Sequence, residues 1–248
     1  MKLYSLFFFV LIGELAPLLS QTAEEIITRA DEAFRGNSAY IEMSIKTVRP
    51  KWTKEIQMKT WSQGANRSVS VVLSPAKEKG TVFLMRDQEV WNYIPSLDRS
   101  IKFPPSMMLQ NWMGTDLTND DLVKKSSLQT DYDKKIVGED RKENLRCWKI
   151  ELIPRESAAV VWGKIVVWID QQNYMQLQTD FYDEDGFLVN QMTASNFKTF
   201  GGKTLPATLR VVPVEKDNQY TEINYSVWEF DLVIPESYFE TNTMKRIR

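Results

Sequence analysis

Residues Pro104–Lys125, PPSMMLQNWMGTDLTNDDLVKK, interrupt the strand-like alternation that dominates the rest of the chain. We call this stretch the Met-rich segment. Methionine, leucine and tryptophan crowd its first half, and Thr118 followed by Asp121 is typical of a helix N-cap with acidic residues in the first turn. The pattern predicts a pair of short helices interrupting a large β-sheet. Methionine is flexible and suits surfaces that contact varied apolar partners, although ordinary core packing explains the same residues.

Apolar and polar residues alternate as β-strands on both sides of the Met-rich segment. The dipeptides Asp185-Gly186, Gly201-Gly202 and Asp217-Asn218 favour tight turns between the later strands. The alternation predicts about eleven or twelve strands, mostly antiparallel, in one continuous curved sheet or barrel. The strand-like stretches are 39–45, 55–61, 67–73, 81–86, 89–94, 99–103, 134–138, 146–153, 163–169, 176–182, 187–197, 204–212 and 220–230.

The first twenty residues, MKLYSLFFFVLIGELAPLLS, are typical of a secretory signal peptide. Lys2 supplies a positive charge, Leu3–Ile12 is an apolar run too short for a transmembrane helix, and cleavage is expected near Ser20. We therefore expect residues 1–20 to be removed and residues 21–248 to form a single domain.

An amphipathic helix is predicted directly after the signal peptide, over Thr22–Phe34. Thr22 and Glu25 have the spacing of a capping box, and Gly36-Asn37 marks the end of the helix. Such a helix has an apolar face to bury against the sheet. Together with the Met-rich segment it would cover the apolar face of a sheet too wide for short helices to fill, which predicts a leftover apolar cavity for a lipid-like ligand.

Composition excludes several classes of function. The formal net charge is -2 with no basic run, which argues against nucleic acid as a partner. The chain has no histidine, so the Ser-His-Asp triad and most catalytic zinc sites are excluded. No nucleotide-binding motif is present, and Cys147, the single cysteine, sits in a strand pattern typical of a structural thiol. We expect no enzyme activity, cofactor or metal.

Paired carboxylates are the one route to catalysis that the composition leaves open. Asp116, Asp120 and Asp121 lie around a predicted helix N-terminus, and residues 183–185 lie in a predicted hairpin turn. Capping and solubility explain both groups without catalysis. A carboxylate-dependent hydrolase stays as an alternative.

Four stretches together resemble the bacterial outer-membrane lipoprotein-sorting family, the LolA/LolB-like periplasmic carriers. Asn111–Val123, NWMGTDLTNDDLV, is similar to the family's G-S/T-D-F/L-T/S-x-x-D-L segment. Gly80–Pro95, Ala158–Asp170 and Asn173–Gly186 are similar to its hairpins. The similarity extends from about Thr22 to the C-terminus, and the order and spacing of the stretches carry it.

The resemblance implies a mainly β fold, an open, strongly curved antiparallel half-barrel of about eleven strands covered by an N-terminal helix and a helical lid. It also implies a soluble periplasmic carrier that shields the acyl chains of lipoproteins, or of a related lipid, during transfer to the outer membrane. An inner-membrane transporter and an outer-membrane acceptor would then be partners. A lipid-binding sensor or regulator, or an accessory of a membrane lipid exporter, is the alternative of the same fold.

The family also implies residues for the site. Arg67 corresponds to an arginine that latches the lid by hydrogen-bonding its backbone, with a solvent-facing strand residue as the alternative. The expected cavity lining, for which core packing is the alternative, is on the sheet side Trp61, Val71, Leu73, Phe83, Met85, Trp91 and Tyr93, and on the lid side Met107, Met108, Leu109, Trp112, Met113, Leu117 and Leu122.

Overall fold

The computed structural model describes residues 21–87, 89–108, 110–123, 127–156, 158 and 160–247, without the side chains of 105, 122, 123 and 127. The predicted signal peptide lies outside this range. The helices are α1 (Ala23–Arg35), α2 (Pro105–Met108), α3 (Asn119–Val123) and α4 (Ser127–Thr130). The strands are β1 (Ser38–Arg49), β2 (Trp52–Gln63), β3 (Arg67–Ser74), β4 (Val82–Arg86), β5 (Glu89–Ile94), β6 (Arg99–Lys102), β7 (Tyr132–Lys142), β8 (Leu145–Pro154), β9 (Lys164–Asp170), β10 (Gln176–Tyr182), β11 (Leu188–Phe200), β12 (Lys203–Pro213) and β13 (Tyr220–Phe230).

Helix α1 begins and ends where the sequence predicts. The Thr22 hydroxyl accepts a hydrogen bond from the Glu25 amide, and the Glu25 carboxylate accepts one from the Thr22 amide, which completes the capping box. Gly36 follows the last turn with a φ of 66°, a conformation that glycine adopts without strain. The apolar stripe of α1 is buried against β7 to β10.

All thirteen strands form one open antiparallel sheet in the order β6-β5-β4-β3-β2-β1-β13-β12-β11-β10-β9-β8-β7. Each of the thirteen strand-like stretches of the sequence corresponds to one of these strands, so the predicted count of about eleven or twelve was too low. The shortest strand, β6, has four residues and pairs with β5 at the sheet edge. Pairing of β1 with β13 joins the first and last strands in the middle of the sheet.

The sheet is curved around its concave face. Thirteen strands laid flat would extend about 58 Å, because neighbouring strands lie about 4.8 Å apart. Residues from β5, near one edge, and from β7, at the other, nevertheless line the same cavity. The sheet therefore wraps around that cavity without closing into a barrel.

The convex face also carries an apolar cover. Residues 231–247, which we call the C-terminal segment, return across β3 and β4 after the last strand. Phe239 and Met244 of this segment are buried against Val69 and Leu84. Apolar residues of β3 to β5 are therefore buried on the convex face as well as the concave one, in contrast to the predicted sheet with one solvated face. Among the described residues, every helix is too short or too polar to cross a lipid bilayer.

Candidate ligand cavity

The concave face encloses a predominantly apolar cavity of about 320 Å³. Helix α1 contributes Ile27 and Phe34 to its wall, and the Met-rich segment contributes Trp112 and Leu117. The sheet contributes Ile41, Met43, Ile45, Met58, Thr60, Ser62, Ser68, Ser70, Phe83, Met85, Val90, Ile165, Thr179, Phe181, Met192, Leu209, Ile223, Tyr225 and Trp228.

Aromatic contacts fix the two helical covers onto the sheet. The ring of Trp112 packs 5.6 Å from that of Phe83 between centroids, and Phe34 of α1 packs edge-on 4.6 Å from Trp228. In contrast, Ile41, Met43 and Met192 stay only half-buried although they face the interior. The chain therefore leaves apolar surface inside the sheet that its own side chains do not cover.

The Met-rich segment folds on itself through local hydrogen bonds. Its predicted N-cap is present, because the Thr118 hydroxyl accepts from the Asp121 amide and the Asp121 carboxylate accepts from the Thr118 amide. The fully buried Thr115 hydroxyl donates to the Trp112 carbonyl at 2.7 Å. Gly114, with a φ of 84°, allows the chain to reverse before Thr115. The predicted pair of short helices corresponds to α2 and α3.

Arg49 at the end of β1 joins the Met-rich segment to the sheet. Its guanidinium pairs with both oxygens of Asp116 at 3.0 Å and donates to the Gly114 carbonyl at 2.9 Å. The Asp116 carboxylate also accepts from the Thr221 hydroxyl at 2.7 Å, and Asn190 donates to the Asp116 carbonyl. The Arg49 and Asp116 side chains are only 14% and 7% exposed, so this is a largely desolvated ion pair.

The predicted latch residue Arg67 lies elsewhere. Its side chain pairs with Glu236 of the C-terminal segment at 2.6 Å. Arg67 shares its strand face with Val69, which packs under that segment on the convex side, and Arg67 also contributes to the wall of the cavity. The arginine that bonds the backbone of the Met-rich segment is Arg49, which the sequence analysis missed. The feature of the sequence that could have indicated Arg49 is its position at a hairpin turn, just before Pro50.

The predicted lining residues divide between the two faces of the sheet. Phe83 and Met85 line the cavity. The other five sheet-side residues pack on the convex face under the C-terminal segment, which corrects their predicted position; these are Trp61, Val71, Leu73, Trp91 and Tyr93. Apolar residues occur on both faces of β3 to β5, and strand alternation alone does not say which face is concave.

On the Met-rich segment, Trp112 and Leu117 line the cavity. Met108 is buried, and Met113 is half-buried and packs against the central core. Met107 is half-buried. Leu109 and the side chain of Leu122 lie outside the described residues.

A buried carboxyl lies at the α3 side of the cavity. Asp121 lines the cavity and accepts a hydrogen bond from the Trp162 indole at 3.2 Å. Burial raises the pKa of the Asp121 carboxyl, because removing it from water disfavours its charged form more than its hydrogen bonds favour it. Burial likewise raises the pKa of the neighbouring Tyr132 phenol.

The other side chains that were considered for catalysis are already hydrogen-bonded or buried. Both oxygens of Asp116 are bound by Arg49, and Asp183 accepts a hydrogen bond from the Phe187 amide in its turn. Cys147 is fully buried among apolar residues, where burial raises the pKa of its thiol. Within the described part of the chain, no group of three or more acidic or cysteine side chains is placed to hold a metal ion.

Similarity to known proteins agrees with this architecture. Residues 64–246, well over half of the chain, match the model of a family described as "Uncharacterized protein"-like. No curated protein matches the sequence.

Three solved structures share the fold, each at 22% sequence identity. A DUF1329 family protein from Desulfovibrio piger aligns with a TM-score of 0.80 over 90% of this chain and 97% of its own. A proposed outer membrane lipoprotein-sorting protein domain from Vibrio parahaemolyticus aligns with a TM-score of 0.80 over 90% and 98%. A LolA superfamily protein from Nitrosomonas europaea aligns with a TM-score of 0.76 over 90% and 99%. The chain belongs to the family that this model describes, and it shares its fold with these three solved structures.

Proposed function

We propose that the protein is a soluble periplasmic carrier that shields the acyl chains of lipoproteins, or of a related lipid, in the concave cavity during transfer to the outer membrane. The single observation that carries the proposal is the apolar cavity, whose walls include half-buried Ile41, Met43 and Met192. We further propose that residues 1–20 are a cleaved signal peptide and that residues 21–248 act as one domain.

The energetics favour a carrier. Exposing a long acyl chain to water costs on the order of 10 kcal/mol, at about 0.8 kcal/mol per CH₂ group. An apolar cavity lowers that barrier without any catalytic group, and both oxygens of Asp116 are held by Arg49. We therefore propose a non-enzymatic function, with a donor in the inner membrane and an acceptor in the outer membrane.

Loading requires the covers to move. A cavity of about 320 Å³ lies at the lower end of the range for small-ligand sites, so a cargo with several acyl chains needs more room. We propose that the Met-rich segment acts as the lid and swings outward. Its attachment through Arg49, Asp116 and Thr221 sets the free energy that opening has to overcome.

Native mass spectrometry of the mature protein, purified gently from the periplasm, tests the proposal. The expected result is a co-purifying lipid or acylated peptide. Met43→Trp places a bulky side chain in the cavity and should reduce the bound fraction. Ser44→Trp is the matched control, because the next residue of β1 points to the opposite face.

Two results together would contradict the carrier proposal. One is a protein mass without any adduct, and the other is failure to bind a fluorescent fatty-acyl probe. Equal loss of lipid in Met43→Trp and Ser44→Trp would place the binding site outside the cavity. Hydrolysis of an ester substrate that is lost in Asp116→Asn, with lipid binding unchanged, would favour a hydrolase instead.

A further inference from the structure

We propose that the cavity selects acyl lipids with ester linkages, and that four hydroxyl groups on its β2–β3 wall hydrogen-bond the ester carbonyl oxygens. These are the hydroxyls of Thr60, Ser62, Ser68 and Ser70, all of which line the cavity. The inference rests on the proposed lipid-carrying function and names the chemical class of the cargo.

Strand register brings the four hydroxyls into one compact patch. Ser62 lies opposite Ser68, and Thr60 lies opposite Ser70, across the β2–β3 pair. Partners on neighbouring strands are about 5 Å apart, and residues two positions apart on one strand are separated by about 7 Å. The patch therefore matches the ester region of a lipid in size, and it is smaller than a whole acyl chain.

Apolar side chains flank the patch on both sides. In the same two rows, Ser68 lies opposite Met85 and Ser70 lies opposite Phe83 on β4. On the other side, Thr60 lies opposite Ile41 of β1. Valine or isoleucine would fill these strand positions better than serine, so the small hydroxyl side chains leave space as well as polarity in an apolar wall.

The patch has hydrogen-bond donors to spare. Thr60 and Ser70 bond to each other at 2.7 Å, which uses one of their two O–H donors. The Ser62 and Ser68 hydroxyls bond no other group within the described residues. Three donors are thus left for a ligand. An ester carbonyl accepts such a bond, whereas an alkyl chain displaces water from the hydroxyls without replacing its hydrogen bonds.

Displacement of the fluorescent probe N-phenyl-1-naphthylamine by matched lipids tests this inference. Dioctanoyl phosphatidylcholine carries two esters, and its dialkyl-ether counterpart has the same chains without the carbonyl oxygens. We expect the wild-type protein to bind the diester about threefold to tenfold more tightly per hydrogen bond gained. Ser62→Ala/Ser68→Ala should reduce that preference to what the one remaining donor of Thr60 and Ser70 supplies, while leaving affinity for the diether unchanged.

Two further variants test whether the loss of preference is specific to the hydroxyl groups of the patch. Thr60→Val/Ser70→Ala should also weaken the preference, and it tests the second row of the patch independently. Ser44→Ala removes a hydroxyl from the opposite face of β1 and should bind like the wild type. Circular dichroism and thermal unfolding establish that each variant is folded before its affinities are compared.

The outcomes separate this inference from the function on which it rests. Equal affinity of the wild-type protein for diester and diether would overturn ester recognition and leave lipid carrying intact. If neither lipid displaces the probe, ester recognition and lipid carrying would both be overturned. A synthetic diacylated lipopeptide, measured in parallel, distinguishes the source of the ester: tighter binding of the lipopeptide points to lipoproteins, and tighter binding of phosphatidylcholine to free lipid.

Discussion

Arg49 and Asp116 connect the Met-rich segment to the sheet through an ion pair with two parallel hydrogen bonds. Arg49→Leu would leave the Asp116 carboxylate buried without its cation and would remove the bond to the Gly114 carbonyl. Breaking a buried pair on one side typically costs about 3 kcal/mol or more. We expect the free energy of unfolding, measured in urea, to fall by about that amount.

Arg67→Leu is the matched control for that experiment. The Arg67 and Glu236 side chains are 34% and 70% exposed, so solvent screens their attraction. Exposed pairs contribute about 1 kcal/mol at most, and the loss should be correspondingly small. Equal losses in the two variants would show that the Arg49 pair does not hold the Met-rich segment.

Asp121 predicts a specific pH dependence. Because burial raises the pKa of its carboxyl above the ordinary 3.8, the folded protein takes up a proton at higher pH than the unfolded chain does. The free energy of unfolding therefore falls as pH rises from about 3.8 through the folded pKa. Asp121→Asn removes this contribution, so we expect the stability of the variant relative to wild type to increase between pH 4 and pH 7.

Urea unfolding at several pH values measures that difference. Asparagine keeps one carbonyl oxygen for the Thr118 amide but loses the acceptor for Trp162, which should appear as an offset that is the same at every pH. A difference between variant and wild type that stays constant with pH would contradict the prediction.

At the scale of elements, the two apolar covers of the sheet should have separable roles. Phe83 faces the cavity and packs on Trp112, whereas Phe239 packs on the convex face. Both are buried, at 9% and 2% exposure, so replacement of either by alanine should cost about 3 kcal/mol of stability or more. We expect only Phe83→Ala to change lipid affinity, as measured by probe displacement. Equal changes in affinity would mean that the cavity is not the binding site.

The difference between the concave and convex faces of the sheet also explains why the strands and turns were predicted better than the residues of the cavity. Strand-like stretches and turn residues such as Gly186 and Asn218 are local signals, and the corresponding strands and turns are present. The C-terminal segment has no strand pattern, and its return to the convex face was not foreseen. The apolar residues Trp61, Trp91 and Tyr93 were therefore assigned to the wrong face.

At the scale of the whole molecule, the sheet should unfold as one unit. Pairing of β1 with β13 joins its two halves, and strands from both halves line the cavity. A lipid at a hundred times its dissociation constant adds about 2.7 kcal/mol to the free energy of unfolding. For a chain of this size, we expect the melting temperature to rise by about 5 to 10 °C.

Tryptophan fluorescence and far-ultraviolet circular dichroism, followed during the same thermal unfolding, check this prediction. The two signals should give coincident transitions with and without dioctanoyl phosphatidylcholine. Met43→Trp should show a smaller shift, because its added side chain occupies part of the cavity. Separate transitions, with the lipid shifting only one, would show that the halves of the sheet unfold independently.

The sequence by itself determined helix α1 with its capping box, the strand-like stretches, the later hairpin turns and the interruption by the Met-rich segment. Alternation, caps and turn residues act over a few neighbouring positions, so they can be identified without the fold. Only the tertiary structure decided which face of β2 to β5 is concave, that Arg49 bonds the Met-rich segment whereas Arg67 bonds the C-terminal segment, and that four hydroxyls form one patch. These features depend on register between strands and on the face to which distant segments return, and a strand shows the same alternation whichever of its faces is turned inward.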